Sequence, residues 1–416
     1  MTAFLRLGSA NAYDTALRNI TERQSALANL QENLTAGKRV LRASDDPTAA
    51  AQAERAITRL ERIKTDQRAL DSQRNAISQA ESTLGDVQDA LQNFRELVVS
   101  AGNGSHTAQE RKAIVGQLQG LRDQIFALSN RQDTNGMPLF SALGSALAPF
   151  VGPQGLPTDY TFAGQPGQVA GNEVSIPYAL DGDRAFMHLP QRDGVYNVSL
   201  TNVAAPAHAL TTSGVTMTNP TLVNGSAYAI TITGVDTTSV PGTTTVTYDI
   251  AENPNVGGPY SGSASYPSTS PANFAVTAMP GLSVNIQGAP AVGDVLSIDP
   301  KVSVFSVLDD AIRDIGNAAN SNAATQAVGQ ALHNVDIGMS QLASVRGQAG
   351  DLLNRADKIS SNQDKRSIQV ESDRSRAQDL DMVKGVSDFQ NQQTGYQAAL
   401  QSYAQVQKLS LFNFIS

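Results

Sequence analysis

Of the chain's 18 prolines, 17 lie between residues 134 and 300 and the remaining one is Pro47. Proline removes a backbone donor and costs ~3 kcal/mol inside a helix, so the two proline-poor ends can form long uninterrupted helices and the middle cannot. Charge divides along the same line. Residues 1–133 carry 17 basic and 16 acidic side chains, residues 134–300 carry 2 and 10, and residues 301–416 carry 11 and 12. The ends are densely charged but nearly neutral, and the middle holds an excess equal to the whole net charge of −8. That balance argues against a general attraction to phosphate backbones or anionic lipid, so no nucleic acid and no membrane partner is expected. The absence of cysteine excludes disulfides, thiolate metal sites and a cysteine nucleophile. No apolar run reaches membrane-spanning length and the N-terminus lacks the pattern of a cleaved secretory signal; any export is expected to use another route.

The N-terminal stretch places Tyr13, Leu17, Ile20, Leu27, Leu30 and Leu34 at helical spacing, with Gly37 as a stop. A second helix is expected to open at the motif Ser44, Asp45, Asp46, Pro47, since an Asp cap accepts an orphan amide and proline at the first helical position needs no partner. It extends to about Ser100. Within it Ile63, Leu70, Ile77, Leu84, Leu91 and Val98 recur every seven residues, a stripe about 50 Å long. Three residues upstream of the last five stand Gln67, Arg74, Glu81, Gln88 and Arg95, all polar, so the seam is expected to be narrow. After a Gly102-Asn103-Gly104 turn, Thr107 and Glu110 form a capping box before a helix carrying Ile114, Leu118, Leu121, Ile125 and Leu128.

In the middle the period changes to two: Tyr196, Val198, Leu200; Tyr228, Ile230, Ile232; Val246, Tyr248, Ile250; Leu282, Val284, Ile286. These are half-buried strands of an antiparallel sheet or small sandwich, separated by Gly, Pro, Thr and Ser turns. Helical spacing returns from Val304 through Leu308, Ile315, Val328, Leu342 and Ile359. A polar break at Gln378 to Asp381 precedes a last helix with Tyr396, Leu400, Tyr403, Val406 and Leu409.

A long narrow seam buries little area against about 1–2 kcal/mol of backbone entropy per ordered residue. Two readings follow: an intramolecular stalk, or ends that order against neighbouring copies through head-to-tail contacts that make rings or tubes. The assembly interface is expected to use Leu17, Ile20, Leu27 and Leu34 with Leu400, Tyr403, Val406 and Leu409.

Particular motifs narrow the choice. Gly37-Lys38-Arg39-Val40 followed by Leu41-Arg42-Ala43-Ser44-Asp45-Asp46-Pro47-Thr48-Ala49-Ala50 closely resembles a segment shared by flagellin-like axial proteins of the bacterial flagellum. Gly120-Leu121-Arg122-Asp123-Gln124, running through Ser129-Asn130 to Asn135-Gly136, and Tyr160-Thr161-Phe162-Ala163-Gly164 resemble signatures of the hook-associated protein 3 family. The end of the chain, Tyr403-Ala404-Gln405-Val406 through Leu409 to Ile415, is similar to that family's ending. One departure stands out: Met137 to Asp159 separates two elements that usually lie close together. Leu91-Gln92-Asn93-Phe94-Arg95-Glu96-Leu97 also resembles flagellin.

The resemblance implies an extracellular structural subunit at the hook–filament junction, exported by the flagellar type III apparatus without a cleaved signal. It would self-associate into a ring and contact hook-associated protein 1 and flagellin, with a flagellar export chaperone as a cytosolic partner. The fold class expected is α+β: an antiparallel α-helical coiled-coil bundle from both termini with a β-rich inserted domain. Residues 1–133 and 301–416 form the helical regions, packed together, and 134–300 the outward-facing insertion. The alternatives are a flagellin filament subunit, and a secreted stalked adhesin whose β domain binds a glycan.

Chemistry has little to stand on. His106, His188, His208 and His333 are scattered without ligand spacing. Asp45 and Asp46 read as capping groups rather than a cation or acid–base pair. Gly102-Asn103-Gly104-Ser105 lacks the lysine and preceding strand of a phosphate loop. Neither an enzyme activity nor a cofactor is expected.

Overall fold

A computed structural model describes residues 9–155, 159–201 and 210–415. Three helices come first, α1 (Ser9–Ala36), α2 (Pro47–Ala101) and α3 (Ala108–Ser129), followed by a hairpin of β1 (Phe150–Gln154) and β2 (Asp159–Phe162) and the short helices α4 (Gly182–Phe186) and α5 (Pro190–Asp193). The β-rich segment comprises β3 (Tyr196–Thr201), β4 (Thr211–Thr212), β5 (Thr216–Met217), β6 (Ala227–Asp236), β7 (Thr243–Asn253), β8 (Tyr260–Pro267), β9 (Ala272–Val276), β10 (Leu282–Gly288) and β11 (Val295–Pro300). Helices α6 (Val304–Gly316), α7 (Ser321–Gln378) and α8 (Met382–Ile415) complete the chain. It divides into two compact units, residues 1–68 with 360–416 and residues 69–359, and α2 and α7 lend residues to both.

In the unit of residues 69–359 the seven-residue stripe of α2 is buried from Leu70 to Val98. The expectation of a narrow seam fails here. Three residues downstream of Ile77, Leu84, Leu91 and Val98 stand Ala80, Val87, Phe94 and Ala101, all buried, so from Ile77 onward the contact face has both of the positions that fill a coiled-coil interface. A fully buried Leu or Val side chain is worth about 1.5–3 kcal/mol, and this face packs in one core with Val335, Leu342, Val345, Ala349 and Ala356 of α7. The polar residues found upstream flank that face. Arg74 pairs with Asp357 at 3.1 Å, Glu81 with Arg346 at 2.7 Å and Arg95 with Asp336 at 2.8 Å. Such exposed pairs contribute about 0–1 kcal/mol each, but they fix which face of α7 meets α2.

An aromatic cluster centres on Phe305 of α6, which meets Phe126 of α3, Phe150 of β1, Tyr160 of β2 and Phe186 of α4 at centroid distances of 5.1–5.7 Å. The segment Met137 to Asp159, which interrupts the expected motif spacing, supplies Phe150; the β1–β2 register sets it opposite Phe162.

The β segment has its own core. A five-stranded antiparallel sheet runs β3-β11-β6-β7-β8, and β10 pairs with β4, β5 and β9. All four expected strands form. Alternation does what the period predicts: along β7, Thr244, Val246, Tyr248, Ile250 and Glu252 face inward. A row of polar side chains on α7 binds the backbone of this region. Gln326 Oε1 accepts from the Thr212 amide at 2.8 Å, and Gln330 Nε2 donates to Ser213 O at 2.7 Å. His333 Nε2 lies 3.0 Å from Val215 O, and Asn334 Nδ2 donates to Tyr196 O at 3.0 Å.

The unit of residues 1–68 and 360–416 is built differently. Helices α1 and α8 pack against each other. Among its described residues the buried apolar side chains are Val40 and the alanines 49, 53, 56 and 377. Among the described residues no large apolar side chain other than Val40 is buried there.

Candidate assembly interface

The turn between α1 and α2 is stitched to the turn between α7 and α8. Arg39 and Val40 donate their amides to Gln378 O at 2.8 and 3.3 Å, Leu380 N donates to Gly37 O at 3.0 Å, and Arg39 Nη2 reaches Ala377 O at 3.0 Å. Gly37 takes φ +66°, a left-handed conformation that closes α1 and lets the chain turn back. Asp45 Oδ2 accepts from the Leu41 and Arg42 amides at 3.2 and 2.9 Å. Asp46 Oδ1 accepts from the Ala49 amide at 3.0 Å, immediately before Pro47 opens α2. The Ala49 amide, then the Thr48 hydroxyl, hold the Asp46 carboxyl below its usual pKa; the Arg42 amide does the same for Asp45. Ser44 donates to Asp45 at 3.4 Å. The whole motif thus orders a turn and a helix start.

The stripe residues lie on the two packed helices, and those whose side chains are described are not sealed. Leu17 is 50% exposed, Leu400 is 41% exposed, and Ile20, Leu27, Leu34 and Tyr403 are half-buried. Val406 and Leu409 fall within α8, but their side chains lie outside the described residues. Exposure extends to side chains that periodicity did not single out, above all Val383, Ile368 and Met382.

In the other unit, Arg122 Nε lies 3.1 Å from Asp309 Oδ1, and the Tyr160 hydroxyl donates to Asp309 Oδ2 at 2.7 Å. Burial pushes the Asp309 carboxyl and the Tyr160 hydroxyl up from their ordinary pKa values. Asn130 pairs with the backbone of Phe150 in both directions, Nδ2 to O at 3.0 Å and N to Oδ1 at 2.9 Å, as a strand would. A Cβ at Gly164 would sit 2.4 Å from the Phe162 ring, which explains the glycine that ends the Tyr160–Gly164 motif. Residues of two motifs separated in sequence therefore meet on α6. Asp309 itself carried no sequence signal. Among the described residues no cluster of His, Asp or Glu could hold a metal ion, and no helix is long and apolar enough to cross a membrane.

The bacterial flagellin N-terminal helical region matches residues 9–144, and the bacterial flagellin C-terminal helical region matches residues 332–415. The chain belongs to the flagellin-like axial protein family. Within that family it is similar to flagellar hook-associated protein 3 of Escherichia coli, 29% identical over 209 residues, and of Salmonella typhimurium, 31% identical over 204 residues. These matches cover 48% and 49% of this chain and 60% of each relative, so the chain spans about 60% of the length of those relatives. Flagellin of Serratia marcescens is 29% identical over 127 residues, 30% of this chain and 36% of the relative. Two solved structures share the axial-protein fold. Hook-associated protein-3 of Legionella pneumophila has a TM-score of 0.60 at 21% identity, covering 77% of this chain and 97% of that one. FlgL of Xanthomonas campestris has a TM-score of 0.58 at 21% identity, covering 77% and 98%.

Proposed function

We propose that this flagellin-like axial protein is a structural subunit of the bacterial flagellum that forms the hook–filament junction, with no enzymatic role. The reading rests on one contrast. Residues 69–359 bury two apolar cores, whereas among the described residues of 1–68 and 360–416 little beyond alanine and Val40 is buried and large apolar side chains stand half-exposed along α1 and α8. Helices of that kind gain most of their stability from tertiary packing, and a neighbouring subunit supplies it. Leu17, Ile20, Leu27, Leu34, Leu400, Tyr403, Val406 and Leu409 then form an intersubunit seam in a ring, with residues 134–300 as an outward acidic domain. By likeness to the hook-associated relatives, the ring contacts hook-associated protein 1 on one side and flagellin on the other. Before type III export without a cleaved signal, a chaperone shields the C-terminal stripe.

A flagellin filament subunit is the second reading, favoured by the shared terminal regions. It is the weaker one because the flagellin matches span 24–36% of those proteins, against 60% for hook-associated protein 3. A stalked glycan-binding adhesin has only the strands in its favour. Labelling assembled flagella with an antibody to this chain separates them: a single band at the distal end of the hook is expected, and label distributed along the filament would overturn the junction role.

A further inference from the structure

Beside the stitched turns, the unit of residues 1–68 and 360–416 contains an open groove of about 560 Å³. Its floor includes Ala49, Ala56 and Ala377, and its walls carry Arg39, Arg55, Arg59 and Arg376 against only Asp46 and Asp373. Both carboxylates are already engaged, Asp46 with Arg39 at 3.3 Å and Asp373 with Arg376 at 2.7 Å. Arg55 and Arg59 are exposed, stand one helical turn apart on α2, and their guanidinium groups make no ion pair or hydrogen bond among the described residues. The groove therefore presents two uncommitted cations over a small-residue floor that a helix can approach closely.

The chain also carries a complementary surface. Along α2, residues 47–68 hold five basic and three acidic side chains, while residues 69–101 hold two basic and five acidic. Over the two units the balance is 17 basic to 14 acidic for residues 1–68 with 360–416, and 13 to 24 for residues 69–359. Asp71 and Asp89, in the acidic half, are exposed, form no ion pair among the described residues, and are spaced by five helical turns, so they share one face. Two copies displaced along α2 bring the acidic half of one against the basic half of the other. Like halves set side by side would repel.

We propose that the Arg55–Arg59 groove is a docking site for the acidic half of α2, residues 69–101, of a second copy of this chain, a staggered ionic contact distinct from the apolar seam of α1 and α8. The inference rests on the assembly reading above. Charge complementarity sets register and suppresses wrong pairings more than it adds affinity. The contact is correspondingly sensitive to salt.

The test uses full-length chain expressed in place of the wild type and assembled into flagella. A benzoylphenylalanine photocrosslinker is placed at position 52, where Gln52 lines the groove beside both arginines, and a second variant carries it at position 27 in the apolar seam. The expected product at position 52 is a dimer of this chain linked to a peptide within residues 69–101. A link to another region or another flagellar protein, or no link, would overturn the groove assignment. If position 27 still yields intersubunit links, assembly through α1 and α8 stands without it; if neither position does, both readings fail. In parallel, Arg55→Glu with Arg59→Glu should lower the incorporated amount at least tenfold, with the purified chain's helix content unchanged. Asp71→Arg with Asp89→Arg should restore it. Normal incorporation of the arginine variant would equally overturn the docking site.

Discussion

The Tyr160 hydroxyl donates to Asp309 Oδ2 at 2.7 Å, and the Arg122 guanidinium lies 3.1 Å from the other carboxylate oxygen. Two motifs that resemble one protein family, 38 residues apart in sequence, are thereby held by one carboxylate on α6. Tyr160→Phe removes a hydrogen bond to a charged group and should cost about 1.5–3 kcal/mol, read as a lowered denaturant midpoint. Arg122→Ala should cost at least as much, because Asp309 keeps its burial and loses its counter-ion.

Two leucine truncations separate the two kinds of seam. Leu84 is fully buried in α2, so Leu84→Ala should destabilise the purified chain by about 2–5 kcal/mol. Leu27 is half-buried on α1, and Leu27→Ala should leave the monomer's main unfolding transition within about 0.5 kcal/mol of wild type while reducing incorporation into flagella. Equal effects on monomer stability would contradict the contrast between the units.

His188 adds a pH dependence. It is buried where the chain enters the β segment, with Asp193 at 4.0 Å and with Arg192 and Gln341 also facing it, and burial lowers its pKa from 6.5 to about 4. A depressed histidine contributes stability that is fully present above pH 6.5 and is lost as pH falls toward 4, because the unfolded chain takes up the proton first. Denaturant titrations at pH 7.5 and pH 4 should show the wild type losing about 3 kcal/mol more than His188→Leu.

Asp46 caps α2 through the Ala49 amide. Asp46→Ala should speed hydrogen exchange at Ala49 and its neighbours in the first turn of α2, without changing exchange in β6 or β7.

The long helices were legible because heptad spacing and the missing prolines both exclude other structures, and the turn at Asp46-Pro47 because capping chemistry is local. The width of the α2 seam was not: Ala80 and Ala101 are small enough to escape an apolar-periodicity reading, and the positions three residues upstream of the stripe are polar while its partners lie three residues downstream. Strands β6 and β7 announced themselves through alternating Ile, Val and Tyr. Strand β8 did not, since Ser261, Gly262, Ser263, Ala264 and Ser265 carry almost no apolar contrast. Hairpin strand β1 lay inside a Gly/Pro/Ala-rich stretch that reads as linker until Phe162 is placed opposite Phe150. Asp309 was hidden because its role depends on partners 149 and 187 residues away.

Hydrogen exchange of the purified chain compared with the same chain in isolated flagella tests the assembly account most directly. Residues 14–34 and 382–405 should exchange rapidly in the free protein and become strongly protected on assembly, while β6, β7 and α2 from Leu70 to Val98 stay protected in both. Protection of α1 and α8 in the free chain equal to that of residues 69–359, with no further gain on assembly, would contradict it.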